Sequence, residues 1–155
     1  MATITLSVDG QSHSIEADPQ MPLLYALRNE LGLKNPRFGC GLAQCGACTV
    51  LMDGVPVRSC VLPVSAATGK LRTLQGLGTA EKPHPVQQAF IDQQVPFCGY
   101  CANAWIMYSV ELLERNPEAS DAEIRQQFAG LKCRCGAHTA VARAVKQAAG
   151  MLKSG

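Results

Sequence analysis

Apolar and polar residues alternate at the start of the chain. Ile4, Leu6 and Val8 are separated by Thr5 and Ser7, and a period of two predicts a half-buried strand. Asp9-Gly10 is a hairpin turn signal, so a second strand is expected over about residues 12–16. Pro22 suits a first helical turn. Leu23, Leu24, Leu27 and Leu31 then repeat at helical spacing before Gly32, which predicts a helix Leu23–Leu31. Residues 37–48 read as a glycine-containing loop. Thr49–Met52, the turn Asp53-Gly54 and Val55–Cys60 predict a second hairpin, and Lys70–Leu74 a last strand.

The pattern changes after Gly76-Leu77-Gly78. His84-Pro85 opens a helical stretch with Val86, Ala89, Phe90 and Ile91 on one side. A long helix is expected from about Cys101 to Arg115, ended by Asn116-Pro117. Ser120-Asp121-Ala122-Glu123 is a capping-box signature ahead of the stripe Ile124, Phe128, Leu131. Thr139 to about Leu152 makes the last helix, with Val141, Val145 and Leu152 inward. The reading is α+β: strands around one helix over residues 1–76, a linker at 77–82, and an all-helical second domain at 83–155.

Aromatic residues are only 5% of the chain, so its core must rest on aliphatic and alanine packing. Two halves of this size are marginal on burial alone, since a domain near 60 residues buries only about 60% of its unfolded surface. Small domains of this kind often need a metal staple. The net charge is +2 without a Lys/Arg cluster, which gives nucleic-acid binding no support. No apolar run approaches the about 20 residues of a membrane span. The N-terminus, Met1-Ala2-Thr3-Ile4-Thr5-Leu6, reads as mature protein with no signal peptide.

Eight cysteines stand in two sets. Cys40, Cys45, Cys48 and Cys60 form a C-x4-C-x2-C-x11-C array, whose opening is the ligand spacing of plant-type [2Fe-2S] clusters. Gly39, Gly41 and Gly46 surround these cysteines, and glycine lets backbone N–H groups approach an anion closely. Arg37, Lys34 and Arg58 lie near and could favour the reduced cluster, although each taken singly reads as a solvated surface cation. Zinc, which also takes four thiolates, is the competitor. The second set is Cys98-Gly99-Tyr100-Cys101 with Cys133-Arg134-Cys135. This pairing alone fits zinc as well as a cluster. Its placement at predicted helix starts, where free N–H groups stabilise an anion, argues for a cluster.

With these segments in view, the whole chain resembles the small iron–sulfur subunit of the molybdenum hydroxylases, the xanthine oxidase family. The resemblance runs through Phe38-Gly39-Cys40-Gly41, Cys45-Gly46-Ala47-Cys48-Thr49-Val50, Cys98-Gly99-Tyr100-Cys101 and Cys133-Arg134-Cys135. Leu112–Pro117 and Ser120–Arg125 match as well. It implies a plant-ferredoxin-like β-grasp domain followed by a four-helix domain, each holding one [2Fe-2S] cluster. It implies a partner, a large molybdopterin-binding subunit that hydroxylates an aldehyde or N-heterocycle. The cluster of Cys98, Cys101, Cys133 and Cys135 would be proximal to the pterin, with Cys135 also touching it. The cluster of Cys40, Cys45, Cys48 and Cys60 would be distal and pass single electrons outward.

His84–Ile91 and Cys135-Gly136-Ala137-His138 are similar to a flavin-free branch that includes nicotinate, isoquinoline and membrane-bound aldehyde dehydrogenases. There the acceptor is often a cytochrome c subunit in place of the flavin subunit. The expected compartment is cytoplasmic, or membrane-associated and facing the periplasm if a partner carries the chain. Three positions depart from the family. Phe97 stands where a pterin-touching glutamine is frequent, Ala102-Asn103-Ala104 replaces Thr-Pro-Gly, and Ala43 replaces a loop glycine.

The other candidates read as structural. His138 suits a helix start or packing, with a tuning role near the cofactor as the alternative. His13 and His84 read as surface or strand residues. Trp105, Met107 and Tyr108 read as core or partner-interface residues. No nucleophile–base constellation appears, so the chain is not expected to catalyse hydroxylation itself. A free ferredoxin shuttle and a zinc-stapled interaction module are the competing functions. The first would be expected to be acidic, against a net charge of +2.

Overall fold

Both predicted hairpins turn on an Asp-Gly pair. Asp9 and Gly10 have φ of 50° and 81°, and Asp53 and Gly54 have 50° and 83°, as a two-residue hairpin turn demands. The structure, a computed structural model, describes residues 1–154. β1 (Ala2–Val8) pairs antiparallel with β2 (Gln11–Ala17), and β3 (Thr49–Met52) with β4 (Val55–Arg58). β5 (Lys70–Arg72) lies between the hairpins, parallel to β1 and antiparallel to β3. The sheet order is β2-β1-β5-β3-β4.

The two turn aspartates also hold β5 in place. Asp9 accepts from the backbone N–H and the hydroxyl of Thr73, both at 2.7 Å, and Asp53 accepts from the Lys70 N–H at 2.9 Å. The Thr73 bond explains why this strand stops at Arg72 and not at Leu74. β4 likewise ends at Arg58, because Ser59 turns back to bond the Cys48 carbonyl through its hydroxyl at 2.6 Å.

The helix expected over Leu23–Leu31 is one α-turn, α1 (Leu23–Tyr25), that widens into a π-turn at Ala26–Glu30. The Leu31 N–H reaches the Ala26 carbonyl at 3.1 Å, and the Leu33 N–H the Leu27 carbonyl at 3.0 Å. One Arg28 Nη1 holds the Lys34 and Pro36 carbonyls at 2.8 Å each, drawing the next segment back onto the turn. Leu23, Leu24, Ala26 and Leu27 are all fully buried.

The second half is four helices: α2 (Pro85–Asp92), α3 (Ala102–Arg115), α4 (Asp121–Phe128) and α5 (His138–Ser154). The capping box forms as expected: the Glu123 N–H donates to Ser120 Oγ at 3.3 Å, and the Ser120 N–H to Glu123 Oε2 at 2.8 Å. His84 is neither a surface nor a strand residue. It caps α2, its Nδ1 accepting from the Val86 N–H at 3.2 Å while its own N–H donates to Gln87 Oε1 at 2.9 Å. Burial lowers its pKa, with the Arg72 charge adding to the effect.

β3 joins the two cores. Val50 points into the first, with Leu6, Leu23, Leu27 and Leu71, whereas Leu51 points into the second, with Trp105, Val110 and Leu113. The back of the sheet is therefore closed by α3. Across that join, buried Asn103 uses its Nδ2 to donate to the carbonyls of Ala47 and Thr49 at 2.9 and 2.8 Å. This is the role of the residue that departs from the family's Thr-Pro-Gly.

Asn103→Ala should take the side-chain donor from the buried Thr49 and Ala47 carbonyls, the second of which keeps the Arg37 N–H at 3.0 Å, and cost about 1–3 kcal/mol, lowering the thermal midpoint of the cluster-loaded chain by about 3–10 °C. An unchanged midpoint in calorimetry would contradict the role given to this amide.

Candidate metal centres

The loop before β3 is built to surround sulfur with backbone donors. Gly41, Ala43 and Gly46 take left-handed φ of 66°, 58° and 81°, and such reversals turn successive N–H groups to one side. The N–H groups of Leu42, Gln44 and Cys45 point at Cys40 Sγ from 3.3, 3.2 and 3.3 Å, and the Cys40 N–H points at Cys45 Sγ from 3.4 Å. The Cys45 N–H is the main cause that brings the Cys40 thiol down to about 7, against an opposing push from burial. A Cβ on Gly39 would stand 2.6 Å from Cys45 Sγ, so only glycine fits there.

Ala43 takes the left-handed geometry without being glycine, a strain of about 1 kcal/mol. Arg58 Nε holds its carbonyl at 3.2 Å. Arg58 is thus not a solvated surface cation. Its Nη1 donates to Thr49 Oγ1 at 2.7 Å, and its guanidinium lies 5.0 Å from the Tyr108 ring centroid. Arg37 is fixed too, donating to the Gly99 carbonyl at 3.1 Å and lying 5.3 Å from the Tyr100 ring centroid. Lys34 is exposed, as expected.

Cys48 and Cys60 meet behind this loop. Cys48 is buried, which pushes its thiol up to about 11, and the Cys60 thiol hydrogen-bonds with it.

The second set gathers where α3 and α5 begin. Cys101 is the N-cap of α3. Burial pushes its thiol up to about 11, and the Cys133 thiol lies beside it. Burial also acts to raise Cys133, but a hydrogen bond with the Cys101 thiol and the N–H groups of Cys135, Ala137 and Gly136 bring it below the usual thiol value. Gly136, at φ 72°, makes that turn. Cys98 and Cys135 are both exposed, and the Cys98 N–H lies 3.4 Å from Cys135 Sγ. The Cys135 thiol is raised, because its neighbours Cys98 and Cys133 outweigh that N–H.

The eight thiols therefore meet in twos: Cys40 with Cys45, Cys48 with Cys60, Cys98 with Cys135, and Cys101 with Cys133. A two-iron cluster carries two protein ligands on each iron, so two pairs per set suit it. The donor set fits chemically as well, because soft thiolates with N–H donors beside them are what an anionic iron–sulfide centre requires.

The two sets sit on loops that touch. Tyr100, between Cys98 and Cys101, donates its hydroxyl proton to the Phe38 carbonyl at 2.5 Å. A Cβ on Gly46 would meet Leu131 at 2.8 Å and Ala104 at 3.0 Å, so that glycine permits the close approach. Arg28, Arg37, Arg58 and Asn103 shape this site without having been foreseen in these roles. No local pattern marks Arg37 and Asn103 in particular, because their partners lie 54 to 62 residues away. Phe97 turns inward, its ring centroid 6.1 Å from that of Phe90, and so offers no polar group in place of glutamine. Trp105 and Met107 are buried core residues, and Tyr108 is half-buried beneath Arg58. His138 begins α5 and packs edge-on against Trp105.

Comparison with known proteins agrees with this geometry. A family model described as a 2Fe-2S iron-sulfur cluster binding domain matches residues 6–73, and one described as a [2Fe-2S] binding domain matches residues 73–146. The chain is 53% identical to a nicotinate dehydrogenase subunit of Pseudomonas putida, over 95% of this chain and 94% of that one. It is 41% identical to the alpha subunit of isoquinoline 1-oxidoreductase of Brevundimonas diminuta, over 94% and 99%. Among solved structures, quinoline 2-oxidoreductase from Pseudomonas putida 86 contains a chain that superposes with a TM-score of 0.92 at 30% identity, covering 99% of this chain and 97% of that chain. The chain belongs to the molybdenum hydroxylase family as a small iron–sulfur subunit with two [2Fe-2S] clusters, and catalysis takes place in another chain.

Proposed function

We propose that Cys40, Cys45, Cys48 and Cys60 ligate the distal cluster and Cys98, Cys101, Cys133 and Cys135 the proximal one. The observation that carries this reading is the meeting of eight thiols in four pairs, two pairs in each of two sets whose loops touch. In each set one pair would hold each iron. The clusters supply sites that accept one electron at a time. The chain's own residues set where those sites lie: the Cys40 and Cys133 turns direct N–H groups at sulfur, and the Tyr100–Phe38 and Arg37–Gly99 bonds keep the two loops together.

Exposed Cys98 and Cys135 mark the face toward the large molybdopterin-binding subunit, with Cys135 as the pterin contact. The proposed substrate class is an N-heterocycle or an aldehyde. The nicotinate and isoquinoline relatives support the first. The second rests on 37% identity to an aldehyde oxidoreductase iron-sulfur-binding subunit of Escherichia coli. The proposed acceptor is a cytochrome c subunit, supported by the likeness of His84–Ile91 and Cys135–His138 to the flavin-free branch; a flavin subunit is the second reading. Among the described residues no helix is long and apolar enough to cross a membrane.

Cys45→Ala and Cys101→Ala should each abolish one of two electron paramagnetic resonance signals of the reduced chain and stop electron delivery. Two unchanged signals in either variant would refute the ligand assignment. Purification from the native host should bring down a large molybdopterin-containing chain together with a c-type haem absorbance. A flavin spectrum instead would replace the acceptor, and a lone monomer would remove the complex.

A further inference from the structure

Trp105 is the only tryptophan of the chain, and it is 1% exposed. Its indole Nε1 is buried without a hydrogen-bond partner. Buried donors are nearly always paired, so an orphan here asks for an acceptor. The residue lies four positions after Cys101, the N-cap of α3. Helical side chains lean back over the preceding turn, which places the indole over the turn that Cys101 begins. Three helices fix the ring. It meets the His138 ring edge-on at 4.9 Å and 88°, and the Phe128 ring at 5.1 Å and 52°.

We propose that the Trp105 indole N–H donates a hydrogen bond to the Cys101 sulfur when that sulfur ligates iron, and that this bond raises the reduction potential of the proximal cluster. The proposal rests on Cys101 being a cluster ligand. A neutral thiol is a weak acceptor, whereas an iron-bound thiolate carries negative charge and accepts strongly. An added electron makes the cluster more negative, so the bond strengthens on reduction and favours the reduced form. Trp105 is a positioning residue for the relay: it makes the first acceptor of electrons easier to reduce.

Because the chain has one tryptophan, indole-15N labelling marks a single atom in it. In the full chain carrying both clusters, pulsed electron paramagnetic resonance should show a 15N coupling on the signal that Cys101→Ala abolishes, and none on the other. Trp105→Phe keeps the ring and removes the donor. At a fixed potential near the midpoint, the reduced-to-oxidised ratio of the proximal cluster should fall about fivefold, equal to about 40 mV at 59 mV per tenfold for one electron, with the distal cluster unmoved. No 15N coupling, or an unmoved proximal cluster in Trp105→Phe, overturns the proposal. If Trp105→Phe fails to assemble, the coupling in the wild-type chain decides. Should Cys101→Ala keep both signals, the ligand assignment itself has failed; should it lose one while no coupling is seen, only the tryptophan's role has.

Discussion

Sulfur ligands crowded into one site repel each other as thiolates unless positive charge sits among them. Two unit charges about 4 Å apart interact by about 4 kcal/mol even at an effective dielectric of 20. The chain meets part of that cost with its own backbone. Three N–H groups face Cys40, and those of Cys135, Gly136 and Ala137 act on Cys133. Cys48 and Cys101 have no comparable shield, and burial holds both thiols near 11. On the proposed ligand assignment, iron is what allows all eight to be deprotonated together. Cluster binding and folding of the two cysteine loops are therefore linked, as metal binding and folding are in other small domains.

The same need for closeness explains the join between the halves. A relay works only if its two stations are near each other. Here Leu51 buries the back of β3 against α3, and Gly46 lets the first cysteine loop press on Ala104 and Leu131. Asn103 ties the carbonyls of Ala47 and Thr49, on either side of Cys48, to the start of α3 two residues after Cys101. A cysteine of each set is thus bound through one side chain to the neighbourhood of the other. The core that stabilises the fold and the path that carries electrons use the same contacts.

Much of this was legible in the sequence. The Thr-Ile-Thr-Leu-Ser-Val alternation, the two Asp-Gly turns, the Ser120 capping box and the long α3 and α5 helices all rest on local rules, and each forms within a few residues of where the pattern puts it. The cysteine arrays were legible because ligand spacing is itself local. What was not legible depends on tertiary partners. Leu23–Leu31 has a helical period, yet the turn widens after Tyr25 while Arg28 gathers two carbonyls from the segment that follows. Arg58 and His84 carry no motif, and only the fold shows that one braces the Ala43 carbonyl while the other caps α2. Ala43 does sit at positive φ, and the departure from a family glycine was its one sequence signal.

The most direct test of the account is the metal content of the anaerobically purified full chain. Eight thiolates holding two binuclear clusters require about four irons and four acid-labile sulfides per chain, with the visible absorbance of such clusters. A colourless preparation containing zinc and no inorganic sulfide would contradict it.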